Sequence, residues 1–150
     1  MLDFKYSSII NAPVEVVWKF HQRADVVKLL IPPWQSIQVI RREGIFGIGT
    51  MTEYRLFLAA LSITWVARHT ECEEYRFFTE EQISGPFEFW RHQHKFEREN
   101  NQTRLTDEII FSLPGGETVD FMSGWLVKSQ LEGMFRYRHQ VTKRECEYNS

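Results

Sequence analysis

Polar and apolar residues alternate over the first ten positions: Phe4, Tyr6, Ser8 and Ile10 share one side of an extended chain, and the pattern stops at Asn11-Ala12-Pro13. A period of two is the mark of a strand, Asn is a preferred helix cap, and Pro fits a helix's first turn. The spacing predicts a helix carrying Val14, Val17, Trp18 and His21, then a short one over Ala24–Ile31 that Pro32-Pro33 ends. Gly44, Gly47 and Gly49 punctuate a series of further strands, at about Ser36–Arg42, Thr50–Leu58, Ser62–Glu71, Tyr75–Gln82, Glu88–Glu97 and Thr103–Leu113. Such close spacing predicts an antiparallel meander. Pro114-Gly115-Gly116 breaks the last strand, and Val119 to about Glu145 reads as one helix of roughly 40 Å at 1.5 Å per residue. Leu126, Val127, Leu131, Met134, Tyr137 and Val141 fall on one side of it and predict a buried face. The order is α+β. Its economical packing is a curved antiparallel sheet of about seven strands wrapped around the terminal helix, with two short helices after the first strand. A curved sheet parts from a straight helix, which leaves an internal cavity.

The 150 residues suit a single domain spanning 1–150, large enough to fold without disulfides or metal. Eighteen Lys and Arg against twenty Asp and Glu leave a net charge of −2, which gives no field for a phosphate backbone and argues against a nucleic-acid partner. Cys72 and Cys146 have no metal-binding or redox spacing. The polar start of the chain and the absence of a long apolar run point to a cytoplasmic protein with no integral membrane association. Twelve Phe, five Tyr and five Trp are the unusual feature, because large flat side chains either fill a core or line a cavity.

One strand pair carries a sharper expectation. Alternation places Trp90, His92, His94 and Phe96 on one face of their strand, and Leu105, Asp107, Ile109, Phe111 and Leu113 on one face of the next. Asn100-Asn101 suits a type I′ hairpin turn. That turn sets Phe96 against Leu105, Trp90 against Phe111, His92 against Ile109, and Glu97 against Arg104 on the outer side. Every pair is chemically sensible, and a slip of one residue would invert a whole face. His94 is therefore expected opposite Asp107 on the apolar, inward side.

Asn11-Ala12-Pro13-Val14-Glu15-Val16-Val17-Trp18, followed by Leu30-Ile31-Pro32, resembles the opening of the START-like helix-grip (SRPBCC) superfamily. That superfamily takes in polyketide cyclase/dehydrase-like proteins, plant pathogenesis-related binding proteins and lipid-transfer domains. Gly85-Pro86-Phe87, the Trp90-x-His92-x-His94-x-Phe96 run, Thr103, Leu105, Asp107, Leu113-Pro114 and Phe135-Arg136-Tyr137-Arg138-His139 resemble a bacterial group of SRPBCC ligand-binding domains whose ligands the resemblance does not specify. The likeness spans essentially the whole chain. It implies a helix-grip fold with a hydrophobic cavity, and a fold shared by such different proteins does not choose a function.

Three roles are open for His94 and Asp107: a buried structural pair, polar recognition in a ligand cavity, or general acid/base catalysis. His92, His94 and Asp107 would suit a two-His-one-carboxylate metal site, but His-x-His on a strand lacks a third well-spaced ligand, so no metal is expected. Arg138 sits in the terminal helix's apolar stripe, either snorkelling past the helix edge, pairing with a sheet carboxylate such as Asp107, Glu80 or Glu81, or clamping an anionic ligand group. His139, about 100° around, is expected to be exposed. Trp65 is placed on the sheet beside the cavity and Gln82 near its mouth, while Glu71, Glu73, Glu74, Glu80 and Glu81 read as a solvated hairpin end. No nucleophile elbow or phosphate loop is present, and no cofactor is expected.

The function expected is binding of a hydrophobic small molecule, lipid-like or polyketide-like, at Trp65, Gln82, Trp90, His92, His94, Phe96, Asp107, Phe111 and Arg138. An enzyme of the cyclase/dehydratase or hydratase type using His94 and Asp107 is the alternative, and a protein-partner accessory domain is the second. A homodimer is left open.

Overall fold

The computed structural model describes residues 1–44, 46–58 and 60–148. Its elements are β1 (Leu2–Ile10), α1 (Val14–His21), α2 (Val26–Leu30), β2 (Ile37–Glu43), β3 (Met51–Leu58), β4 (Leu61–Glu73), β5 (Phe77–Ser84), β6 (Phe89–Glu99), β7 (Gln102–Ser112) and α3 (Glu117–Tyr148). All seven strands join one curved antiparallel sheet in the order β1-β7-β6-β5-β4-β3-β2. From β2 to β7 the chain meanders, and β1 closes against β7. The α+β helix-grip arrangement follows, with α1 and α2 bridging the two edges of the sheet and α3 in its grip.

The β6–β7 register is the expected one: Trp90 faces Phe111, His92 faces Ile109, His94 faces Asp107, Phe96 faces Leu105 and Glu97 faces Arg104. The turn differs. Of its two central residues only Asn100 has positive φ, at 57°, whereas type I′ needs both; positive φ at the first position alone is the type II′ pattern. The register survives because both turns have two-residue loops. Asn11 does not cap α1: Pro13 takes that place with no side-chain cap bond, and the Asn11 amide oxygen accepts a bond from Gln102 Nε2 at 3.4 Å instead. Pro13 has no N–H, so one donor that a cap would satisfy never exists.

Two apolar clusters fill the interior. Trp18 anchors the first and meets Phe46, Tyr75, Phe78 and Phe96 edge-on, with Ile10, Val17 and Leu105 around it. The second joins Phe4, Trp90, Ile109 and Phe111 to Leu131, Met134 and Phe135 of α3. Gly124 lets α3 approach β1 closely, since a Cβ there would lie 2.6 Å from Leu2 Cδ1. The early turns of α3 press one side on the sheet and leave the other to solvent. Leu126, predicted on the buried side, is exposed, as are Phe121, Met122 and Trp125. Among the described residues no helix is long and apolar enough to cross a membrane.

Candidate functional site

The inward face of β6 carries His92 and His94 because side chains two apart on a strand share a side. Their rings stack with centroids 3.8 Å apart, and His94 stacks in turn on Phe78 of β5 at 4.0 Å. Asp107 of β7 is the hub of the cluster. His92 Nε2 lies 2.7 Å from its Oδ1, His94 Nδ1 lies 3.1 Å from the same oxygen, and His139 Nε2 of α3 lies 2.6 Å from Oδ2. An ionised carboxylate only accepts, so these ring nitrogens carry the hydrogens. The second His139 nitrogen, Nδ1, meets Ser8 Oγ of β1 at 2.6 Å. On the other side of His94, Nε2 lies 3.2 Å from Glu80 Oε1, with His69 Nε2 at 3.5 Å from the same oxygen. The His94–Glu80 contact is close enough for charge pairing yet out of line for a hydrogen bond, so His94 Nε2 has no hydrogen-bond partner.

Burial and charge work against each other here. Burial opposes the imidazolium of His94, but Asp107 and the nearby charge of Glu80 outweigh it and raise its pKa to about 9. Burial pushes His92 down to about 4, helped by the charge on His94, and His21 of α1 falls to about 4 for the same two reasons. Burial would raise both carboxyls, yet His139, His92 and His94 hold Asp107 well below the carboxylate range, and His69 and His94 do the same for Glu80. The His94 imidazolium thus serves two carboxylates.

Beside this cluster, between sheet, α2 and α3, lies a cavity of about 50 Å³. Val26, Val27, Leu30 and Phe78 form its apolar wall, while Arg42, Tyr54, His69, Glu80, His94 and Arg138 bring polar groups to it. A smaller recess between His94, Asp107, His139 and Arg138 adjoins it.

The nine residues singled out from the sequence divide accordingly. His94 and Arg138 line the cavity and Asp107 the recess, with His92 bonded behind them. Trp90 and Phe111 pack in the second apolar cluster with Trp65 against them, and Phe96 packs around Trp18. The Gln82 amide is occupied: Nε2 donates to Phe87 O at 2.7 Å, and Oε1 accepts from Phe87 N at 3.2 Å. Arg138 pairs with none of the carboxylates suggested for it; among the described residues its guanidinium lies over the Phe135 ring at 5.1 Å, and its Nε is buried without a partner.

Two expectations need correction. His139 is buried, because the sheet wraps far enough round α3 to cover the side carrying it as well as the side carrying Arg138. Glu80 is no part of a solvated end: it sits opposite His92 on the inward face of β5, against two histidines. Arg42, Tyr54 and His69 were not singled out. Their signal was present as alternation within β2, β3 and β4, but shifts of register between Val39 and Arg41 and between His69 and Glu71 blur it.

His92, His94 and Asp107 offer ligand atoms within 4.8 Å of one another. Both nitrogens already sit against one Asp107 oxygen, so a cation would have to displace both contacts and expel the His94 proton.

A family model described as polyketide cyclase / dehydrase and lipid transport matches residues 10–136. No curated protein matches the chain. Among solved structures, the protein TTHA0849 from Thermus thermophilus is similar with a TM-score of 0.76 and 16% identity, over 99% of each chain. The nucleoside-diphosphate sugar epimerase from Corynebacterium glutamicum is similar with a TM-score of 0.74 and 27% identity, over 94% of this chain and 28% of that one. The Zhui aromatase/cyclase from Streptomyces sp. R1128 gives 0.64 and 14%, over 97% and 90%. The first and third likenesses concern the fold alone.

Proposed function

The chain belongs to the polyketide cyclase / dehydrase and lipid transport family, and from that membership we propose that it binds a small hydrophobic molecule, lipid-like or polyketide-like, between the sheet and α3. The observation that carries this reading is the mixed lining of the cavity, in which Val26, Val27, Leu30 and Phe78 stand beside Tyr54, His94 and Arg138. Ligand pockets pair an apolar lining with a few placed polar groups in this way. At about 50 Å³ the cavity takes the guest's polar end, whereas small-molecule sites run to about 300–1,000 Å³. The apolar body therefore enters by displacing α2, a five-residue helix with no side-chain cap bond.

A solvatochromic apolar dye, titrated against the chain, tests this. One-to-one binding is expected, with loss in a folded Leu30→Trp variant that fills the space under α2. Binding unchanged in that variant would place the guest elsewhere and sink the proposal.

The acid/base alternative has one observation in its favour: His94 Nε2 borders the cavity without a hydrogen-bond partner. With its pKa raised to about 9, His94 would act there as a proton donor rather than as a base near neutral pH.

A further inference from the structure

Four buried nitrogens without a hydrogen-bond partner belong to residues lining one cavity: Arg42 Nη1, Arg138 Nε, His94 Nε2 and His69 Nδ1. Buried polar atoms are ordinarily paired, and buried charges are ordinarily matched. Here two guanidinium groups, one from β2 and one from α3, reach the same space, and among the described residues neither has an ion pair. Both also act on Tyr54: burial and then Glu80 push its hydroxyl up, while Arg138 and Arg42 work the other way. The carboxylates nearby are already engaged, Asp107 by three histidines and Glu80 by two.

Charge and size narrow what would fit. Arg42, Arg138 and the His94 imidazolium stand against Asp107 and Glu80, which leaves at least one positive charge for a guest to match. A cavity of about 50 Å³ accommodates about three to five water-sized groups, enough for a carboxylate and its first carbons. The Arg138 guanidinium lies over the Phe135 ring at 5.1 Å, and a planar guanidinium meets a planar carboxylate through two parallel N–H bonds.

We propose that Arg42 and Arg138 form a two-arginine clamp for the carboxylate of a monoanionic, apolar-bodied acid, with His94 Nε2 as a further donor. The clamp rests on the reading of the cavity as a small-molecule site, and deepens it by naming the guest as an acid rather than a neutral lipid.

Calorimetric titration with octanoate and benzoate, each against its amide and against inorganic phosphate, tests the clamp in wild type, Arg42→Met and Arg138→Met, with the fold of each checked by circular dichroism. In wild type the acid is expected to bind at least tenfold more tightly than its amide, and phosphate more weakly than the acid. The preference should fall to about one in either Met variant while the amide's affinity stays put. Arg138→Lys, which keeps the charge without the fork, should lose part of the preference and serves if Arg138→Met does not fold. Equal binding of acid and amide in wild type would overturn the clamp and leave the guest site standing. Tighter binding of phosphate would overturn the carboxylate assignment. Failure of every acid with the apolar dye still bound would remove the clamp alone; failure of the dye as well would remove the cavity reading beneath it.

Discussion

His139 Nε2 donates to Asp107 Oδ2 across 2.6 Å, tying the middle of α3 to the inner face of β7 through a buried, charge-assisted bond. Ser8 holds the other ring nitrogen, so β1, β7 and α3 meet at one imidazole. Tyr6 packs edge-on against the ring at 4.7 Å. Removing that ring leaves a carboxylate oxygen short of a donor in a dry place, and hydrogen bonds to charged groups are worth about 1.5–3 kcal/mol. His139→Ala is expected to lose at least that much, with the cavity left by the ring adding to it. Urea unfolding measures it, and an unchanged midpoint at unchanged slope would show that the bond is dispensable.

Stability should depend on pH through the same cluster, with different groups setting the two limbs. His94 is raised from an ordinary 6.5 to about 9, so its contribution is complete below about pH 6.5 and is lost as pH rises through 9. His92 and His21 are depressed to about 4, so theirs is present above about 6.5 and is lost as pH falls toward 4. Asp107 and Glu80, held well below the carboxylate range, lose theirs at still lower pH. The expected optimum lies near pH 6–7, with an alkaline slope of at most about 1.4 kcal/mol per pH unit for the one proton. In His94→Gln that slope between pH 6.5 and 9 should flatten, as followed by unfolding midpoints. An undiminished slope in the variant would assign it to another group.

The same residues show what could be read from the sequence. The β6–β7 register was legible because a two-residue turn and strict alternation fix one pairing, and Glu97 opposite Arg104 agrees with Trp90 opposite Phe111. From it follows the approach of His94 to Asp107, from two strands adjacent in the chain. The partners that arrive from elsewhere were not legible. Glu80 stands opposite His92 only through the β5–β6 pairing, and the β4–β5 pairing beside it shifts register at His69 to Glu71. Whether Arg138 or His139 is buried depends on how far the sheet wraps α3, and a helical wheel carries no information on that; both sides turn out to be covered. The abundant aromatic residues were open to filling a core or lining a cavity, and most pack into two core clusters, because flat rings fill the space under a curved sheet edge-on.

Arg138 sets stability against binding, which makes its replacement the most informative single change. Its Nε is buried without a partner, a deficit worth about 1–3 kcal/mol, and the guanidinium recovers part of that, about 0.5–2 kcal/mol, over the Phe135 ring. Met keeps the length of the stem and can pack against the same ring while leaving no donor unmet. Arg138→Met is therefore expected to raise the unliganded chain's stability by about 1 kcal/mol, a rise in Tm of about 2–4 °C for a chain of this size. Excess octanoate should then stabilise wild type more than the variant, since a ligand stabilises only the state that binds it. Paired thermal scans with and without octanoate read both effects. A lower Tm for the variant in both scans would make Arg138 a structural strut, its guanidinium serving the fold rather than a guest.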